Sequence, residues 1–140
     1  MKFSDLSAEE WGALQPYLDT CLLPVTSLTG EEQPHEATAA LEKLRDVMDL
    51  IEIPFKGRVV TYPALHYIEE TSRRQTVAGV CAALKRTGFK HVIAVVLGAK
   101  EDYEGAGPDL IVSIGEAGVI PDAKDVSKAV QLLWNAGNDR

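Results

Sequence analysis

The sequence is poor in basic residues, in cysteine and in long apolar stretches, and each shortage removes a class of function. Lys and Arg number 14 against 21 Asp and Glu, a formal net charge of −7. A surface of that sign has no general means of displacing counterions from a nucleic-acid backbone or an anionic membrane, so nucleic acid is not an expected partner. No apolar run approaches the roughly 20 residues of a membrane-spanning helix, so membrane insertion is not expected either. The opening Met1-Lys2-Phe3-Ser4-Asp5-Leu6 lacks the apolar core and small-residue cleavage site of a signal peptide, which makes a cytoplasmic location the expectation. The only cysteines, Cys21 and Cys81, have no Cys-x-x-Cys spacing and no electropositive flank. Both read as small core side chains rather than a redox pair or a nucleophile.

Cofactor and hydrolase motifs are missing as well. Neither Gly-x-Gly-x-x-Gly nor Gly-x-x-x-x-Gly-Lys-Ser/Thr follows a predicted strand, and Gly105-Ala106-Gly107 comes before one, in the wrong order. No Gly-x-Ser-x-Gly elbow offers a seat for a nucleophile. No cofactor is expected, and no residue is assigned a catalytic role.

What the chain does have is an alternation of strands and helices. Its 140 residues suit one α/β domain spanning 1–140, long enough to bury a core without disulfide staples. The run His91-Val92-Ile93-Ala94-Val95-Val96-Leu97 follows an amphipathic segment and a glycine stop, and reads as a central strand buried on both faces. Ser7-Ala8-Glu9-Glu10 is a capping-box pattern that starts a short helix carrying Trp11 and Leu14 inward. Cys21 to Val25 reads as the first strand. Pro34 opens a long helix whose apolar residues Ala37, Ala40, Leu41, Leu44, Val47, Met48 and Ile51 recur at three-and-four spacing. A strand follows at Arg58–Tyr62, and Ala64–Glu70 has no clear pattern. Thr71 or Ser72 caps a helix with Val77, Val80, Cys81 and Leu84 on its inner stripe, ended by Gly88. Asp109–Ile114 is a further strand. Its connection carries no helix and is barely long enough for a parallel crossover, so an antiparallel or edge position is open. Pro121-Asp122 introduces a last helix with Val126, Ala129, Val130, Leu133 and Trp134 on one face, ended by Gly137, after which Asn138-Asp139-Arg140 frays.

These elements predict a three-layer α/β/α sandwich with a mostly parallel sheet of about four strands. Ligands of such folds gather beyond the carboxyl ends of the strands, which here means Thr26–Glu32, Pro63–Ser72, Gly98–Glu104 and Gly115–Gly118. Two sets of rim residues could carry chemistry. Glu31, His66 and Asp102 combine carboxylate and imidazole and could hold zinc or manganese, though their spacing is unspecific and solvated acids are the plainer reading. His66 is the better ligand candidate, since His35 falls in a helix's first turn. Thr71-Ser72-Arg73-Arg74 places two arginines in the first turn of a helix, against its dipole, which an anion between them would offset. Glu69 and Glu70 are the plainer counter-charges. Tyr62, Tyr67, Phe55 and Trp11 could form a partner-binding face or close the ends of the core.

Two resemblances complete the reading. Met1-Lys2-Phe3-Ser4, the segment Tyr17-Leu18-Asp19-Thr20-Cys21-Leu22-Leu23-Pro24-Val25 and the overall length resemble a family of uncharacterised proteins from Bacillus-type bacteria, a domain of unknown function. That resemblance implies no activity. More distantly, Leu23-Pro24-Val25-Thr26-Ser27 and Thr87-Gly88-Phe89-Lys90-His91-Val92-Ile93-Ala94-Val95-Val96 are similar to scaffold portions of creatininase-like amidohydrolases. Leu28-Thr29-Gly30-Glu31-Glu32-Gln33 and Leu97-Gly98-Ala99-Lys100-Glu101-Asp102 stand where that family carries its Glu-x-His and histidine-glycine metal motifs. The expectation is a protein without catalysis of its own, acting through self-association or a protein partner. A metal-dependent amidohydrolase-like enzyme with a rearranged site and a small-anion-binding module are the alternatives.

Overall fold

The computed structural model describes residues 1–66, 69–115 and 118–138. Its elements, in order, are α1 (Ala8–Leu14), β1 (Thr20–Val25), α2 (Pro34–Glu52), β2 (Val59–Thr61), α3 (Arg73–Arg86), β3 (His91–Leu97), β4 (Leu110–Ile114) and α4 (Ala123–Asn138), with 3₁₀ turns at Phe3–Asp5 and Lys100–Asp102. The four strands form one sheet in the order β2-β1-β3-β4, every neighbouring pair parallel.

Strand alternation sends successive side chains to opposite faces, and each face is covered by its own helices. Cys21, Leu23, Val25, Val92, Ala94 and Val96 pack with Val77, Cys81 and Leu84 of α3, with Trp11 and Leu14 of α1 alongside. Leu22, Ile93, Val95, Val112 and Ile114 pack with Leu44, Val47 and Ile51 of α2 and with Val126, Val130 and Trp134 of α4. The run at β3 is therefore buried on both sides because a helical layer lies over each: Val92 to Val96 are all fully buried. Both cysteines lie in the core and neither is paired.

Local chemistry fixes the ends. At α1 the Ser7 hydroxyl accepts from the Glu10 N–H at 3.1 Å while the Glu10 carboxylate accepts from the Ser7 N–H. At the end of α3, Phe89 N–H donates to the Leu84 carbonyl and Gly88 N–H to that of Lys85, a Schellman pairing for which Gly88 takes φ +120°. The short edge strand β2 is shielded by the amino-terminal segment: Thr61 N–H donates to the Met1 carbonyl at 2.7 Å, and buried Glu52 accepts from the Thr61 hydroxyl and from Lys2.

The structure decides between two sets of alternatives and corrects one boundary. β4 is parallel to β3, not antiparallel, although it does lie at the sheet edge. Residues 98–109 just meet the dozen or so that a parallel crossover needs, and they manage it with a 3₁₀ turn and buried Tyr103 and Ala106 in place of a helix. Asp109 then anchors the strand, accepting from Val92 N–H and from Lys85 Nζ at 2.9 Å each. Gly137 does not stop α4, which runs to Asn138; Asp139 and Arg140 lie outside the described residues. The aromatics do not share a face: Trp11 and Tyr62 group with Phe3 and Phe89 on one side of the sheet, while Phe55 meets Trp134 edge-on, with centroids 5.0 Å apart, on the other. Tyr67 lies outside the described residues. No helix among the described residues is long and apolar enough to cross a membrane.

Candidate functional site

Because all four strands run the same way, the loops following them share one rim. The strand order reverses between β1 and β3, the position at which open parallel sheets leave a crevice. Here that crevice is laced shut by the Ser27 hydroxyl, which donates to the Leu97 carbonyl. Beside it a cleft of about 370 Å³ opens towards α2, lined by Ser27, Glu36, Lys43, Leu97, Gly98 and Gly118 among others. Its acids serve local structure. Glu32 accepts from the N–H groups of Thr29 and Gly30, and those bonds, Thr29 foremost, hold its carboxyl below the usual carboxylate range. Glu36 accepts from the Gln33 N–H at 3.0 Å as the helix cap.

The residues singled out for a metal are distributed along the rim. His66 is exposed, with Nδ1 3.1 Å from the Thr26 hydroxyl, beyond the end of β2. Glu31 is exposed, its N–H donating to the Thr29 hydroxyl, and Asp102 sits in the 3₁₀ turn after β3. Among the described residues no three His, Cys, Asp or Glu side chains gather as a metal site would require, so Glu31, His66 and Asp102 are not brought together.

The anion candidates do converge with other groups. Thr71 is exposed, and Ser72 holds the cap position of α3 but does not cap it: its backbone is helical (φ −107°, ψ −1°) and its hydroxyl donates to the Glu69 carbonyl at 3.3 Å. The first turn of α3 therefore has no side-chain cap, and Arg73 and Arg74 stand at its positive end. Arg74 Nη1 donates to the Asp102 carbonyl at 3.4 Å, tying the turn to the β3–β4 connection. A cavity of about 240 Å³ lies between them, lined by Glu70, Arg73, Arg74 and Asp102.

Behind the cavity lies a residue that sequence reasoning left without a role. Tyr103 is fully buried, and its hydroxyl has no hydrogen-bond partner among the described residues. Nε of Arg73 is likewise buried without one. Burial pushes the phenol's pKa up, the adjacent Arg73 guanidinium draws it partly back, and Asp102 adds to the rise. Hydroxyl and guanidinium are thus close neighbours. A buried polar group left unsatisfied costs about 1–3 kcal/mol, so two partly satisfied polar groups side by side mark a place where a further hydrogen-bond partner would be favourable. The only sequence signal for it was an aromatic inside an otherwise polar loop.

A family model described as a protein of unknown function (DUF2487) matches residues 9–104. The match takes in β1 to β3 and the Arg73, Arg74 and Tyr103 positions, and stops before β4 and α4. No curated protein and no solved structure matches the chain.

Proposed function

We propose, for a chain that belongs to the DUF2487 family and takes no activity from that membership, a binding role without catalysis: a single α/β domain over 1–140 that takes a small anion at the start of α3. The observation that supports this reading is a cavity lined by Arg73 and Arg74, next to two buried polar atoms, Tyr103 Oη and Arg73 Nε, that have no hydrogen-bond partner among the described residues. An anion in that cavity would meet two guanidinium groups and an uncapped helix start, three features that each favour negative charge.

The amidohydrolase-like alternative has less to support it. The Leu23-Pro24-Val25 segment does form the end of β1 and Gly88-Phe89 does lead into β3, as a creatininase-like scaffold would have them, but no donor set for a dinuclear centre gathers among the described residues. Self-association keeps one specific support. β4 is an apolar edge strand, Leu-Ile-Val-Ser-Ile, with no strand on its outer side among the described residues.

Titration of the ¹⁵N-labelled protein with sodium acetate and with inorganic phosphate tests the anion reading. The backbone amides of Ser72 to Gln75 and of Tyr103 should shift saturably with at least one of the two salts, and Arg73→Gln should abolish the response. Silence of those amides with both salts would overturn it.

A further inference from the structure

The arginines are not alone on the cavity wall, and the other two residues there restrict what the anion can be. Glu70 and Asp102 complete the lining, so two acidic residues share the cavity wall with two arginines. In a bare surface ion-pair network these four would pair with one another. They do not: no ion pair joins Arg73 or Arg74 to a carboxylate among the described residues, and Arg74 reaches Asp102 only through the backbone carbonyl. Lys100, the nearest other cation in sequence, pairs with Glu104 at 3.7 Å, and Asp102 has no ion pair among the described residues.

A lining of two positive and two negative side chains has no net charge to offer a dianion, since the acids repel a phosphate about as well as the arginines attract it. A ligand that carries both signs meets both pairs favourably. The space is small: about 240 Å³ lies below the roughly 300–1,000 Å³ of pockets for drug-sized molecules, and fits a ligand of few heavy atoms. Building on the anion-binding reading above, we propose that the ligand is a small α-amino acid, its carboxylate held between Arg73 and Arg74 and its ammonium between Glu70 and Asp102. The planar guanidinium groups suit a carboxylate's paired oxygens, and the carboxylates suit an ammonium's three donors. Tyr103 Oη and Arg73 Nε lie buried beside this wall, without a hydrogen-bond partner among the described residues.

Calorimetric and NMR titrations of the intact chain with L-alanine, acetate, methylammonium and inorganic phosphate separate this proposal from its premise. L-alanine should bind at least about tenfold more tightly than acetate, the scale of one additional charge-assisted contact, and methylammonium alone should not shift the Ser72 to Gln75 amides. In the double variant Glu70→Gln/Asp102→Asn that advantage should vanish while acetate binding is kept or strengthened. Acetate or phosphate binding as tightly as L-alanine to the unmodified chain would overturn the amino-acid proposal and leave the anion reading standing. An undiminished L-alanine preference in the double variant would overturn it as well, because the ammonium would then be held elsewhere. No amide response to any of the four would remove both readings.

Discussion

Arg58 clasps Asp19 through two parallel hydrogen bonds, Nε to Oδ1 at 2.9 Å and Nη2 to Oδ2 at 3.2 Å, and so joins the residue before β1 to the residue before β2. The same guanidinium lies 4.2 Å from the centre of the Trp134 ring, whose N–H donates to the Thr20 hydroxyl at 2.9 Å. Two strands and α4 are thereby tied at the rim opposite the cavity. This end of the sheet holds the fold, and the other end is left to the loops.

The clasp should show in acid. Burial alone would raise the Asp19 pKa, but hydrogen bonds from Arg58 and Thr20, with the Arg58 charge, hold it below the usual carboxylate range. A folded-state value below the unfolded one means that the folded protein binds fewer protons, so this stabilisation is complete above about pH 4 and is lost as pH falls through the folded value. Asp19→Asn should cost about 1–2 kcal/mol at neutral pH and flatten the decline of stability below pH 4. Urea unfolding at pH 7, 4 and 3 measures both, and an acid profile identical to the parent's would contradict the assignment.

Thr20→Val tests the next link. Valine keeps the β-branched shape that a buried strand favours and removes both the acceptor for the Trp134 N–H and the hydroxyl that donates to Asp19 Oδ1. Leaving that donor buried and unpaired should cost about 1–3 kcal/mol, seen as a lower denaturant midpoint at unchanged slope.

The cysteines should be silent in the native protein. Burial pushes Cys21 up to about 12 and Cys81 up to about 11, the latter slightly relieved by Lys85. At pH 8 neither thiol should react with an aromatic disulfide reagent until denaturant is added. Because the folded values exceed the ordinary thiol value, stability should also fall as pH rises past about 9 towards them. Rapid labelling of either cysteine in buffer alone would contradict their core placement.

The parts of the fold that rest on periodicity could be read from the sequence, and those that rest on a path through space could not. The run Val92–Leu97 and the three-and-four spacing after Pro34 report burial directly, and β3 and α2 follow from them. The direction of β4 depends on how residues 98–109 cross the end of the sheet, which their composition does not encode: Tyr103 and Ala106 are buried there among exposed Lys100, Glu101 and Asp102. The same division holds at the site. Arg73 and Arg74 are legible because two cations at a helix start oppose its dipole. Tyr103 is not, because its significance lies in an acceptor missing from its surroundings. Ser72 shows the limit of position alone, since it occupies the cap site and turns its hydroxyl to Glu69 instead.

Tyr103→Phe tests the unsatisfied pair most directly, because it removes the orphan hydroxyl and keeps the ring in the core. Without ligand the variant should be as stable as the parent or up to about 1 kcal/mol more stable, since a desolvated donor is gone and no hydrogen bond is lost. Its affinity for acetate should fall at least about fivefold, the equivalent of about 1 kcal/mol. A variant that is less stable than the parent and binds acetate just as well would show that the hydroxyl already has its partner and that the start of α3 awaits nothing.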